Sequence, residues 1–368
     1  MRKLFPVGGV LALIIALALF AYAGRYGATP PFRNADGALV EGSIAEMRRV
    51  RLGGVEQSIL IRGRSADAPI LIWLHGGPGM DETGLLRHFN GRLEDHFLVI
   101  YWTQRGTGRS YDRSIPATSM RLSQFVSDLD QLVEALKAEF RKEKVALIGH
   151  SWGTNIGVSY AQRHPANVSA YAGIGQIVNS AEGERRSYAF TLAEAQRRND
   201  KDALADLTKI GAPPYPLNEL IAQREWLEKF GGGNFRKPTP MLDLMVKSIN
   251  ASEVTWLDAI KFRAAAEFSL GTMMPEIELL DWTGVTRFSV PVVIVSGRFD
   301  HNTDGALAYN YYNAIEAPSK NFEWFEQSAH SPQFEEPDAF NAFIIDRLLP
   351  LARGAPVRAG ESASADDG

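Results

Sequence analysis

The chain has no cysteine in its 368 residues. That excludes disulfides, thiolate metal sites and a cysteine nucleophile. It leaves the compartment open, because exported proteins without disulfides exist. Histidine is scarce as well, with seven in all, so a site that needs a base has few places to find one. Positive charge is not in excess: 39 Lys and Arg stand against 43 Asp and Glu, a net −4. Phosphate backbones demand a concentrated basic face, so this balance argues against nucleic acid as a partner. No internal repeat is evident. What is present is ordinary for a globular protein, with 45% hydrophobic and 22% charged residues. At roughly 150 residues per domain, the length suggests two units or one large core with an insertion.

The two ends differ from the middle. Leu4–Gly24 holds 21 residues without a charge, behind Arg2 and Lys3. About 20 apolar residues span a bilayer core, so residues 1–24 read as a membrane anchor and transmembrane helix. Val7–Phe20 followed by Ala21-Tyr22-Ala23 also fits a cleavable signal peptide. On either reading positive charge stays inside. The remainder is expected outside the cytoplasm, held at the membrane or, after cleavage, secreted or periplasmic. Residues 354–368 carry no aromatic and a single Val, too little apolar surface to order, and read as a free tail.

Between the ends, Met47–Leu52 and Gln57–Arg62 flank Gly53-Gly54, a hairpin signal. Continuous apolar runs at Ala68–Leu74, Phe97–Trp102 and Val145–Ile148 predict strands covered on both faces, and shorter ones follow at Ala170–Ile174, Val290–Val295 and Phe322–Phe325. Helices are predicted between them, at Leu85–His96, 121–140, Trp152–His164, Gly305–Ile315 and Pro337–Leu351. In the second, Leu122, Phe125, Val126, Leu129, Leu132, Val133 and Leu136 recur at helical spacing. This alternation means a mostly parallel sheet flanked by helices. Residues 177–285 break the rhythm with helical sequence and no strong buried strand. They read as a helical cap inserted between core segments at 45–176 and 286–353.

The chemistry starts at Gly149-His150-Ser151-Trp152-Gly153. This G-x-S-x-G pattern follows a buried strand and opens a helix, the context a nucleophile elbow requires. The glycines permit a tight turn that lifts the Ser151 hydroxyl clear of the sheet, and the helix N-terminus offers N–H groups to a developing oxyanion. A serine nucleophile needs a base, and the base an orienting acid. In such a fold the order is Ser, acid, His. Of the histidines after Ser151, His164 sits on the elbow's own helix and His301 is adjacent to the acid. That leaves Asp300, after the strand at 290–295, and His330, after the next strand. Leu74-His75-Gly76-Gly77-Pro78-Gly79 follows the first buried strand and brings backbone N–H groups to a ligand. Gly77 and Trp152 are the expected oxyanion pair, with Gly76 the substitute for the first. His75 is expected to hydrogen-bond within its loop. A P-loop is disfavoured because no Lys-Ser/Thr follows.

These residues resemble a family. HGGPG at 75–79, YWTQRGTGRS at 101–110, GHSWG at 149–153, GRFD at 297–300 and AHSP at 329–332 are similar to the proline iminopeptidase branch of the α/β-hydrolases over roughly 45–350. The resemblance implies an α/β-hydrolase fold and a serine peptidase that removes an N-terminal residue, typically proline, under a helical cap. It matches Ser151, Asp300 and His330 to the catalytic triad. It matches Arg105 and Arg109 to a loop that looks structural in the family, surface ion pairing being their simpler role. The chain departs from the family pattern in several ways, among them the absence of any histidine between 165 and 300 and the apolar leader. His150 stands where those peptidases typically have Gly, and the cap lacks their Trp-x-x-Trp-Glu and Glu-Asn-His-Tyr-Phe segments.

The expected chemistry is acyl transfer through Ser151 with no metal or organic cofactor. The expected partner is a short peptide, cleaved after an N-terminal Pro or small residue. An esterase or amidase acting on small molecules is the alternative, and a non-catalytic binding protein on the same fold a distant one. An aminopeptidase must meet the substrate ammonium with a carboxylate. Glu182 and Glu184, where the chain leaves the sheet, are the first choices, and Asp258 and Glu267 the second.

Overall fold

The computed structural model describes residues 27–354. The strands are β1 (Ile44–Leu52), β2 (Val55–Gly63), β3 (Ile70–Leu74), β4 (Leu98–Thr103), β5 (Val145–His150), β6 (Val168–Ile174), β7 (Val292–Gly297) and β8 (Lys320–Phe325). They form an 8-stranded sheet in the order β1-β2-β4-β3-β5-β6-β7-β8. The Gly53-Gly54 hairpin pairs β1 with β2, and β2 runs antiparallel to β4. From β4 to β8 every pairing is parallel.

Strand β3 shows why its sequence is continuously apolar. Ile70, Ile72 and Leu74 pack into one core cluster, while Leu71 and Trp73 pack into the other, on the opposite face. The first face is covered by α2 (Leu122–Phe140), α3 (Trp152–Arg163) and α9 (Gly305–Ala314). The second is covered by α1 (Thr83–Phe89) and α11 (Pro337–Ala352). All seven apolar positions of α2 singled out by their spacing are buried, and so is Asp128 between them.

The chain leaves the sheet after β6 and returns at β7. Helices α4 (Ser180–Arg198), α5 (Lys201–Ile210), α6 (Leu217–Lys229), α7 (Met241–Ile249) and α8 (Trp256–Ile277) fill the interval. Helix α8 starts at a capping box in which Thr255 and Asp258 satisfy each other's backbone N–H groups. A short α10 (Pro332–Glu335) precedes α11. Gly79 and Gly106 seat α8 on the core: a Cβ on Gly79 would lie 3.0 Å from the Ala265 carbonyl, and one on Gly106 2.5 Å from Ser269 Oγ.

The reading of a membrane-anchored protein with a transmembrane helix, its catalytic part outside the cytoplasm, is corrected here. Among the described residues no helix is long and apolar enough to cross a membrane. The longest, α8, spans 22 residues and carries Asp258, Lys261, Arg263, Glu267 and Glu276, charges that hydrocarbon does not accept unpaired. The segment 1–24 that prompted the reading lies outside the described residues, as does the tail from 355.

Buried ion pairs tie the loops to this frame. Arg105, for which surface ion pairing is the simpler role and a structural loop the one implied by the resemblance, is fully buried. Its Nε donates to Asp128 Oδ2 at 2.9 Å and its Nη2 to Asp128 Oδ1 at 3.0 Å, both side chains being 0% exposed. The same guanidinium donates to the Gly53 carbonyl at 3.0 Å, which locks the 101–110 loop to the hairpin. Removing one partner of such a pair leaves an uncompensated charge in the core. Asp128→Ala is therefore expected to lower stability by about 3–5 kcal/mol, read from the denaturant midpoint. Replacing both partners, Arg105→Met with Asp128→Leu, should recover most of that loss.

Candidate active site

The elbow between β5 and α3 holds Ser151 at φ 51°, ψ −117°, a conformation a β-substituted residue adopts only under constraint. Packing supplies the constraint. A Cβ on Gly153 would overlap the Leu74 carbonyl oxygen, and one on Gly149 would lie 2.6 Å from the Gly153 carbonyl oxygen. Only glycines let α3 start this close to β3. Ser151 N–H donates to the Ile174 carbonyl at 2.8 Å, while Thr154 N–H donates to the Ser151 carbonyl at 2.9 Å. Trp152 is the first helical residue, so its N–H has no intrahelical acceptor.

The loop after β3 lies against the nucleophile. A Cβ on Gly76 would come within 3.5 Å of Ser151 Cβ. Gly77 has φ +116°. His75 donates from Nδ1 to the Gly76 carbonyl at 2.8 Å and accepts at Nε2 from Gln104 N–H at 3.0 Å. Both nitrogens are used, and burial pushes the ring below its ordinary pKa. His75 is thus neutral and structural. Gln104, which nothing but its place in the 101–110 loop marks in the sequence, also donates to the His75 carbonyl and accepts from Trp152 Nε1 at 3.1 Å. It ties three loops together.

Asp300 stands three residues beyond the end of β7. Its Oδ1 accepts the backbone N–H groups of Asn302 and Thr303, and its Oδ2 accepts the Thr303 hydroxyl and faces His330 Nδ1 at 2.9 Å. Burial alone would raise this carboxyl. The imidazole charge and the hydrogen bonds overcome that and hold it at about 2. The carboxylate therefore stays ionised at any working pH, and what it contributes to stability is lost only as pH falls toward 2. His330 Nε2 is buried and has no hydrogen-bond partner. Gly175, at φ +54°, makes room for the ring: a Cβ there would lie 2.6 Å from His330 Cε1. His301 is elsewhere, stacked on Phe190 of the cap with centroids 3.6 Å apart.

Cap and core are laced by backbone. Gly232 O accepts from His301 N–H at 3.0 Å, and Gly233 O from His330 N–H at 3.2 Å. The Glu335 carboxylate bridges Arg236 N–H at 2.6 Å and Ala329 N–H at 2.7 Å. Burial pushes it up to about 7. Beyond this seam a cavity of about 200 Å³ opens between core and cap, with His150 and Ser331, the chain neighbours of Ser151 and His330, in its wall. Phe235, Leu244, Met245, Phe262 and Phe334 make it apolar; Asp81, Glu82 and Asp258 are its carboxylates.

The structure does not bring Glu182 or Glu184 to that cavity. Glu182 lies in the first turn of α4 and is taken by Arg185 at 2.7 Å and Arg186 at 2.6 Å, whose hydrogen bonds hold it at about 2. Glu184 is paired with Arg224 and accepts from Tyr215 at 3.1 Å. Glu267 is exposed and paired with Arg263 at 2.7 Å. A carboxylate already neutralised by arginine has little charge left for an ammonium. Of the four, only Asp258 reaches the cavity, and Arg109 pairs with it at 2.9 Å. Arg109 also donates to the Glu253 carbonyl at 2.6 Å, so it braces the cap from below.

A family model described as serine aminopeptidase, S33, matches residues 67–337. The chain belongs to the S33 serine aminopeptidase family. The probable aminopeptidase YbaC of Bacillus subtilis is 33% identical over 301 residues, covering 81% of this chain and 94% of that one. A proline iminopeptidase of Heyndrickxia coagulans is 28% identical over 293 residues, covering 76% and 90%. Among solved structures, the proline iminopeptidase-related protein of Thermus thermophilus superposes with a TM-score of 0.63 at 20% identity, covering 84% of this chain and 99% of its own. The fold is that of the α/β-hydrolases, and the protein is a serine hydrolase.

The contact between Gly175 and the His330 ring gives a direct test of this geometry. Gly175→Ala should displace the imidazole, and a misplacement of about 1 Å costs on the order of 10²-fold in kcat. Unchanged circular dichroism with such a loss would locate the effect in the site.

Proposed function

We propose that this S33 hydrolase is an aminopeptidase that releases N-terminal Pro or a small residue from short peptides through an acyl-enzyme. Ser151 attacks the scissile carbonyl while His330 Nε2 takes its proton. Asp300 holds the imidazole and balances its charge. Gly77 N–H and Trp152 N–H receive the oxyanion, and His330 then returns the proton to the leaving amine before water releases the acyl group. The relatives named as an aminopeptidase and a proline iminopeptidase support the peptide reading.

The observation that carries the amine specificity is the charge of the cavity. Its wall has three carboxylates and neither lysine nor arginine. Glu82 is engaged by His150 and Asp258 by Arg109. Asp81 is held only by Thr83 N–H at 2.9 Å and, weakly, Thr103 Oγ1 at 3.4 Å; no cation pairs with it among the described residues. A carboxylate without a paired cation in an apolar cavity suits a substrate ammonium. The apolar walls suit a pyrrolidine ring or a short side chain.

Ser151→Ala should lower turnover by on the order of 10⁶-fold and abolish labelling by a fluorophosphonate. Asp300→Asn should cost about 10⁴-fold through the wrong His330 tautomer.

Proline-4-nitroanilide and its N-acetyl form, assayed side by side, test the substrate. The free amine should be cleaved and the acetylated form not. Equal turnover of the two would replace this reading with an esterase or amidase. Asp81→Asn should raise KM for the free amine while leaving hydrolysis of 4-nitrophenyl acetate unchanged.

A further inference from the structure

His150 and Glu82 form a buried pair that the triad chemistry leaves unused. They are 4% and 8% exposed. His150 Nδ1 lies 2.5 Å from Glu82 Oε1, and His150 Nε2 lies 3.1 Å from the backbone carbonyl of His330. A carbonyl oxygen only accepts, so Nε2 carries a proton. A second proton must lie between Nδ1 and the carboxylate, because two lone pairs do not meet at this distance. The pair thus touches three separate pieces of the site. Glu82 stands at the N-terminus of α1 just after the oxyanion loop, His150 precedes the nucleophile, and the His330 carbonyl belongs to the base loop. The fit is close: a Cβ on Gly76 would stand 3.1 Å from Glu82 Oε1 and 3.2 Å from His150 Nδ1.

We propose that the His150 imidazolium and the Glu82 carboxylate are positioning residues, which clamp the oxyanion loop, the elbow and the base loop in catalytic register. The inference rests on the roles given above to Ser151 and His330, and not on the peptide substrate. It makes activity depend on the shared proton. When that proton leaves, a carboxylate and an imidazole lone pair face each other, and the oxyanion loop is pushed away from Ser151.

The surrounding groups favour the charged pair. Burial alone would disfavour both charges. Glu82 nevertheless pulls His150 above its ordinary value, with the His330 carbonyl and Asp300 adding to the effect, while His150 and the Trp73 indole hold Glu82 below its own. His75 is neutral, its two nitrogens being committed to Gly76 and Gln104. Trp73 Nε1 donates to Glu82 Oε2 at 3.3 Å. The ring of His330 lies 5.0 Å from that of His150. For His150, whose folded value is raised, the contribution is complete below its unfolded value and is lost as pH rises through the folded one. For Glu82, whose folded value is depressed, it is complete above the unfolded value and is lost as pH falls through the folded one. The pair is therefore intact in the window between, and its failure defines an alkaline limb.

The test uses the whole enzyme with a fluorophosphonate, whose labelling of Ser151 reports the site whatever the natural substrate. Ser151→Ala must remain unlabelled; its labelling would remove the premise rather than the clamp. With that control, Glu82→Gln should slow labelling on the order of 10²-fold and move the alkaline limb to lower pH, because His150 loses the charge that keeps it protonated. Glu82→Asp should restore part of the rate and of the limb. An unchanged rate and pH profile in Glu82→Gln would overturn the proposal. Should Glu82→Gln not fold, the wild-type enzyme decides. With ¹⁵N-labelled histidine, a His150 doubly protonated at the pH optimum and neutral beyond the alkaline limb supports the clamp. A singly protonated His150 at the optimum rejects it.

Discussion

The contact on which the site depends is the one between Gly153 and the Leu74 carbonyl. Helix α3 begins so close to β3 that a single Cβ would overlap the strand's backbone. That approach forces the turn at Ser151 into φ 51°, ψ −117°, turns its side chain out of the sheet and aims the first N–H of the helix into the same space. The strain is held because β3, β5 and β6 are buried on both faces and cannot yield. Glycine at 149, 153 and 175 is thus one requirement met three times: room for backbone or imidazole where any side chain would intrude.

The cap is joined to this frame by charges as well as by packing. Glu253, just before α8, accepts from Arg87 at 3.1 Å and from Thr29 at 2.7 Å. Arg87 and Arg62 both reach Glu94, at 2.5 and 2.8 Å. Glu94 and Glu253 are each 2% exposed on their side chains, so these pairs are desolvated and geometrically demanding rather than a general source of stability. Their effect is to place the start of α8 against the 101–110 loop, where Arg109 meets Asp258. On the other side the seam is backbone: Gly232 and Gly233 accept from the acid and base loops, and Glu335 spans both sides. The walls of the cavity are positioned by the same bonds that hold His330.

Much of the fold was legible in the sequence. Strands covered on both faces must be apolar without interruption, as Ile70–Leu74 and Leu98–Trp102 are, and a helix with one buried side must repeat every three to four residues, as Leu122–Leu136 does. Both are local rules, readable without knowing what packs on what. The elbow was legible for the same reason, since strand, G-x-S-x-G and helix follow one another directly. Local reading failed where charge was concerned. Arg105 lies 23 residues from Asp128, Arg224 40 from Glu184 and His150 68 from Glu82. No periodicity marks a partner across such gaps.

By itself, then, the sequence determined the order of elements, the place of the turn that carries Ser151, and the short list of groups able to serve it. Each follows from steric and solvation rules acting within a few residues. Tertiary structure alone decided which charges are spent and which are left. Glu182 and Glu184 are neutralised by arginines and stand away from the cavity, Asp128 is sealed in the core against Arg105, and Asp81 stands at the cavity wall with no cation paired to it among the described residues. The reason is physical: whether a carboxylate is free to bind a ligand depends on the cations and the water around it, and these are set by contacts between segments that the chain brings together only on folding.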